Sequence, residues 1–230
     1  MKRIAERLAD VRGRIEKAAA KAGRDPASIR LIAVSKTKPV AMIREAVAAG
    51  VTDFGENYIQ EAREKIPQVP GPVSWHFIGH LQKNKAKYAA SLFEWVHSVD
   101  RVEIADALNR RAGMEGRRLK VLIEVNVGKE LTKSGVEAEA LFPLVEHIST
   151  LPNLSLKGLM VIPPMTADPE EARGYFIQTR RLASQVESRH IPNVSMEELS
   201  MGMTSDFEIA IEEGATMVRI GTAIFGPREM

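Results

Sequence analysis

Ile4, Leu8, Val11, Ile15 and Ala18 or Ala19 fall on one stripe at helical spacing, which predicts a leading amphipathic helix ended by Gly23. The pattern then changes to short apolar runs at 31–35, 52–55, 74–78, 95–99, 120–125, 155–160, 198–201 and 217–220. Between them lie charged segments with helical period at 40–49, 59–66, 83–91, 102–112, 137–149, 169–189 and 206–213. Strands alternating with helices imply right-handed crossovers and a parallel sheet. Eight such strands close most naturally into a (β/α)8 barrel, here with an extra N-terminal helix. An open doubly wound sheet is the competing arrangement, but it usually has fewer strands, and no GxGxxG fingerprint follows the first run. No long Pro/Gly/Ser linker, low-complexity tract or repeated block interrupts the chain, so residues 1–230 read as one domain.

Composition narrows the function classes. With 44% hydrophobic and 27% charged residues in 230, the chain can bury one sizeable core. Lys plus Arg number 32 against 30 Asp plus Glu, a balance that does not suit a nucleic-acid binder. The absence of cysteine excludes disulfides, thiolate metal sites and cysteine nucleophiles. The basic start, Met1 to Arg7, leads into no uncharged hydrophobic segment, and no run approaches the roughly 18 apolar residues of a membrane span. A cytoplasmic location is the expectation, and without an extended exposed apolar stripe so is a monomer.

In barrels of this kind, functional groups gather at the C-terminal ends of strands. Lys36 follows the first strand and shares the face of Ile32 and Val34, expected to point into the barrel. Burial there would favour a neutral amine able to form a Schiff base with an aldehyde; the plainer reading is a charge that snorkels at a strand end. Lys38 reads as a solvated charge. On the eighth strand Arg219 shares a face with Met217 and Gly221. An arginine only donates, so against a pyridine nitrogen it would hold that nitrogen unprotonated and weaken the ring as an electron sink; otherwise it pairs with an acid at the rim. Gly221 and Thr222 begin a short terminal turn, and Ser200 and Gly202 form a second turn after the seventh strand, both suited to phosphate. A lysine opposite an anion cradle suggests a covalently held phosphorylated aldehyde. Asn57 could touch a ring substituent or cap a helix. His80 reads as a satisfied structural histidine and Met160 as core. The five histidines show no HExxH and no close pair, and no GxSxG elbow or Walker loop is present.

These residues lie in ordered blocks: Ala33-Val34-Ser35-Lys36-Thr37-Lys38, Phe54-Gly55-Glu56-Asn57-Tyr58, His76-Phe77-Ile78-Gly79-His80-Leu81-Gln82-Lys83-Asn84-Lys85, Lys133-Ser134-Gly135, Gly158-Leu159-Met160, Leu199-Ser200-Met201-Gly202-Met203, and Val218 through Gly226. Together they resemble the pyridoxal phosphate homeostasis protein family across nearly the whole chain. The resemblance implies a barrel similar to the N-terminal domain of bacterial alanine racemase, with pyridoxal 5′-phosphate on Lys36 and Arg219 facing the pyridine nitrogen. It further implies Ser200, Gly202, Gly221 and Thr222 around the phosphate, Asn57 near the ring, and Lys133 near a cofactor transfer route. Thr204 stands where many relatives have serine, a change of hydroxyl for hydroxyl. Members of that family are regarded as cofactor carriers or regulators that influence vitamin B6 levels and amino-acid and keto-acid balance.

Racemisation needs proton donors on both faces of the substrate. Alanine racemases resemble this chain in the barrel and supply the second donor, a tyrosine, from a C-terminal β-domain. The chain ends at Met230 with no room for that domain, and of Tyr58, Tyr88 and Tyr175 only Tyr58 begins near a strand end. The expectation is a binding protein that releases cofactor to apo-enzymes. A slow amino-acid racemase is the alternative, and a Schiff-base aldolase acting on sugar phosphates is a third reading.

Overall fold

The barrel expected from the alternation is the architecture found in the computed structural model, which describes residues 3–128, 134–164 and 167–227. The strands are β1 (Arg30–Val34), β2 (Asp53–Glu56), β3 (Ser74–Phe77), β4 (Trp95–Val99), β5 (Leu119–Glu124), β6 (Leu154–Met160), β7 (Val194–Ser200) and β8 (Met217–Ile220). Each pairs in parallel with the next, and β8 closes on β1 with Arg219 beside Ile32. The helices are α1 (Ile4–Lys21), α2 (Val40–Ala48), α3 (Ile59–Lys65), α4 (Ala86–Leu92), α5 (Val102–Met114), α6 (Ala138–Ser149), α7 (Arg173–Glu187), α8 (Phe207–Glu212) and α9 (Thr222–Phe225). None of the described helices is long and apolar enough to cross a membrane.

The stripe of α1 is buried as expected and packs against α2, α8 and α9. Its end shows why glycine stands at position 23. Gly23 adopts φ +64°, the Gly23 N–H bonds Ala20 O at 3.1 Å, and the Arg24 N–H bonds Ala19 O at 2.9 Å. That double closure satisfies the last carbonyls and needs a left-handed residue. Arg14 to Glu208 and Lys21 to Glu212, each at 2.6 Å, pin the same helix to α8.

Three segment starts lie more than one residue from expectation. β7 begins at Val194, four residues before the predicted 198, because 194–198 are partly exposed and carry Ser195, Glu197 and Glu198 in place of an apolar run. The segments at 83 and 169 each start with a 3-10 turn before the α-helix sets in.

One large apolar cluster lies between barrel and helices, while Ile32, Trp95, Leu122, Met160 and Met217 form a separate one. Ile32 takes its place in the second cluster and its neighbour Ala33 in the first, so alternation along β1 works as expected, and Met160 is core.

Candidate functional site

Lys36 stands in a turn just beyond β1 whose conformation is imposed from outside. The Lys38 N–H closes the turn on Ser35 O at 3.1 Å, and Thr37 sits at φ +63°. A left-handed conformation costs a β-branched residue about 1–3 kcal/mol, so the surroundings must over-determine it. They do. The Thr37 N–H donates to Glu61 Oε2 at 2.7 Å. Lys65 Nζ reaches Glu61 Oε2 at 2.6 Å, Ser35 O at 2.9 Å and Glu56 Oε1 at 3.0 Å, while Ser35 Oγ donates to Glu56 Oε1 at 2.7 Å. Glu56 has no exposed surface, and its burial raises the carboxyl above the usual range against the pull of Lys65. Lys36 itself is half-buried. Lys38, expected in solvent, donates from Nζ to Pro227 O at 2.6 Å and ties the turn to the last described residue.

Register collects the other expected residues. Val34 pairs with Gly55 and Ala33 with Ile220, so the turn holding Lys36 rises level with Asn57 on one side and the start of α9 on the other. Gly221 is half-buried and packs so closely that an added Cβ would stand 3.3 Å from Val34 O; Thr222 is exposed at the first turn of α9. Gly202, at φ +92°, has no space for a side chain, since a Cβ would come within 2.5 Å of Ala210 Cβ. Its carbonyl accepts from the Arg219 N–H at 3.0 Å. Thr204 is half-buried in the same loop.

Arg219 points into the barrel and is 4% exposed. Nη1 donates to Ser200 O at 2.6 Å and Ser200 Oγ at 2.7 Å, and Nη2 to Val161 O at 2.8 Å. At least two of its five N–H groups lack a protein partner among the described residues. Burial pulls the guanidinium down to about 10, offset by Glu124 and Asp206, and it stays charged at neutral pH. Ser200, expected at the phosphate, is fully buried, and its hydroxyl lies between Arg219 Nη1 at 2.7 Å and His97 Nδ1 at 2.9 Å.

Cavities of about 520 and 280 Å³ flank the mouth and share Asn57, Gly79 and His80. The Asn57 amide oxygen is buried with no protein partner among the described residues. A buried polar atom in that state suits a ligand group, and a guanidinium with unused donors suits a ring nitrogen, so the residues present fit pyridoxal phosphate. His80, expected as a satisfied structural histidine, has Ser134 Oγ at 2.8 Å from Nδ1, and it stands exposed on the cavity wall. Lys133 lies outside the described residues.

Three groups escaped the sequence reading. His76 and His97, 21 positions apart, meet in the barrel with Nδ1 and Nε2 3.0 Å apart. Their signal was a histidine at an inward position on each of two consecutive strands. Glu124 ends β5 on the wall of the smaller cavity, and burial, with help from Asp100, raises its carboxyl to about 7. The folded chain thus retains a proton that the unfolded chain releases near pH 4.5. Its contribution to stability is complete below that pH and is lost as pH rises towards 7. Glu124→Gln, which mimics the protonated form, is expected to remove that loss and to raise stability at pH 8 by about 3 kcal/mol. Denaturant melts of both proteins at pH 5 and pH 8 check it.

The family model for the alanine racemase N-terminal domain matches residues 7–229. The pyridoxal phosphate homeostasis protein of Pseudomonas aeruginosa is 49% identical over 230 residues, covering 100% of this chain and 97% of its own. The protein of that name from Escherichia coli K12 is 44% identical over 234 residues, covering 100% and 98%. Among solved structures, PipY of Synechococcus elongatus with PLP bound superposes at a TM-score of 0.86 with 40% identity, covering 97% of this chain and 100% of that one. An alanine racemase from Clostridium difficile superposes at 0.74 with 14% identity over 99% of this chain and 57% of that one, a likeness of fold alone.

Proposed function

This chain belongs to the pyridoxal phosphate homeostasis protein family, and from that premise we propose that it binds pyridoxal 5′-phosphate as a Schiff base and takes part in vitamin B6 homeostasis. Through that role it acts indirectly on amino-acid and keto-acid balance. When bound, the cofactor supplies an aldehyde that a lysine amine holds reversibly. Lys36 is the residue for that task, its turn braced by Lys65, Glu56 and Glu61. Arg219, with N–H groups left over after Ser200 and Val161, would donate to the ring nitrogen, and as a donor that stays charged it would keep that nitrogen unprotonated. Asn57, whose buried amide oxygen has no protein partner among the described residues, would take a polar group of the ring. The Gly202 loop and the Gly221–Thr222 start of α9 offer backbone and hydroxyl groups to the phosphate. Ser200 serves the site by holding Arg219.

The role is carriage and regulation, without robust turnover of an amino acid. In this reading the protein is a cytoplasmic, single-domain monomer that hands its cofactor to apo-enzymes. The observation that carries the proposal is that Lys36, in the turn just beyond β1, and Arg219, on β8 beside Ile32 of β1, stand on the two strands that meet where the barrel closes. Incubation with pyridoxal phosphate, borohydride reduction and peptide mapping test it. One pyridoxyl adduct is expected, on the peptide containing Lys36; an adduct spread over surface lysines, or none, overturns the reading.

A further inference from the structure

Five side chains from five strands join end to end through the barrel interior. Asp53 Oδ1 lies 3.0 Å from His76 Nε2, His76 Nδ1 lies 3.0 Å from His97 Nε2, and His97 Nδ1 lies 2.9 Å from Ser200 Oγ. Arg219 Nη1 closes the series on Ser200 Oγ at 2.7 Å. Both imidazoles are fully buried. The ring of His76 stacks on Trp95 at 5.7 Å, and His97 meets the same indole edge-on at 6.2 Å.

Elementary donor and acceptor rules fix every proton in this series. The Asp53 carboxylate only accepts, so His76 carries its hydrogen on Nε2. A neutral imidazole then has a bare Nδ1, which requires the hydrogen of His97 on Nε2 and leaves Nδ1 of His97 bare. Ser200 must donate its single hydroxyl hydrogen there, and its lone pairs are left for Arg219, which only donates. One hydrogen occupies each link; an extra proton on His76 would set N–H against N–H, and one on His97 would displace the Ser200 hydroxyl hydrogen and put a second cation near Arg219. The charged groups that face the rings agree with neutrality. Arg30 from β1 repels a proton on both, Arg219 from β8 repels one on His97, and Asp53 from β2, with Glu94 ahead of β4, attracts one to His76 alone. Burial outweighs that attraction, holding His76 below its ordinary range and His97 well below it.

We propose that Asp53, His76 and His97 are positioning residues that act through Ser200 to hold the Arg219 guanidinium, so that its remaining N–H groups meet the cofactor ring in one geometry at any pH at which the protein works. The role, though not the proton order, rests on the binding reading above. A hydrophobic filling of the barrel would leave the Ser200 hydroxyl free to rotate and to compete for the arginine. The polar series removes that freedom.

Nitrogen-detected NMR of the imidazoles in the unloaded protein tests the proton order directly. Both rings are expected to be neutral Nε2–H tautomers from pH 5.5 to 8. Pyridoxal phosphate titrations followed by visible absorbance test the role. His97→Gln preserves an acceptor towards Ser200 and a donor towards His76, and is expected to bind within about twofold of the parent. His97→Phe breaks the series and is expected to bind about tenfold more weakly, with a pH dependence as His76 begins to titrate. A protonated ring or an Nδ1–H tautomer in the parent at pH 6 overturns the proposal, as does unaltered affinity and pH profile in His97→Phe. The expected tautomers in a parent that takes up no pyridoxal phosphate overturn the binding reading, and the role with it, while establishing the proton order.

Discussion

Lys36→Ala is expected to leave the barrel folded and to abolish covalent capture of pyridoxal phosphate, with total affinity falling at least about 100-fold, or ~3 kcal/mol. The residual binding is the share of Arg219, Asn57 and the α9 start, none of which the substitution touches. The turn is held by Lys65, Glu61 and the Ser35–Lys38 closure, all of which the substitution leaves in place. Thermal stability should therefore stay within about 1 kcal/mol of the parent. Lys38→Ala is the control, because its amine is committed to Pro227 O. It should keep the visible absorbance and the borohydride-fixed adduct. Absorbance titration with each protein, followed by reduction and mass measurement, reads both effects; an adduct of normal yield in Lys36→Ala sinks the assignment.

The largest effect on stability is expected at Lys65. Its side chain is 10% exposed and that of Glu56 is 0% exposed, and the two are 3.0 Å apart. Lys65→Met leaves a buried carboxylate without its cation, a change that costs about 3–5 kcal/mol. The loss depends on pH. Glu56 already titrates above its ordinary value through burial, and without Lys65 it rises further. The folded variant then holds a proton that the unfolded chain gives up, so its stability falls as pH rises through the range between the unfolded and folded values. Melts at pH 5 and pH 8 should show a larger deficit at pH 8. Lys65→Met combined with Glu56→Gln should recover much of the loss at pH 8. Equal deficits at both pH values would mean that packing around the lysine stem, not the charge, sets the effect.

Most of the fold is legible because parallel strands buried on both faces read as continuous apolar runs, and the first six and the eighth run lie within a residue or two of the observed strands. β7 is hidden at its start, where it is partly exposed and polar. The places of Lys36 beyond β1 and Arg219 on β8 are legible from the apolar runs they follow or belong to, and a strand end followed by a turn is where such a barrel puts its chemistry. What stays hidden depends on register. Nothing local to His76 or His97 says that β3 and β4 will set them in contact, or that Ser200 on β7 will turn inward to join them. Glu124 is hidden for the same reason, since a carboxylate ending an apolar run reads as the end of the strand. Its elevated pKa arises from burial and from Asp100, which only the folded chain places nearby.

β8 pairs with β1, and α1 packs on α8 and α9, so the most widely separated parts of the sequence share one seam. The entropy of drawing together the ends of so long a loop must be met before those contacts reward it, which makes the seam a late event in folding. The amine and the guanidinium stand on opposite sides of it. On the proposed assignment, a nascent or half-folded molecule offers the vitamin nothing but scattered lysines, and the capacity to retain it arises only when the ring of strands shuts.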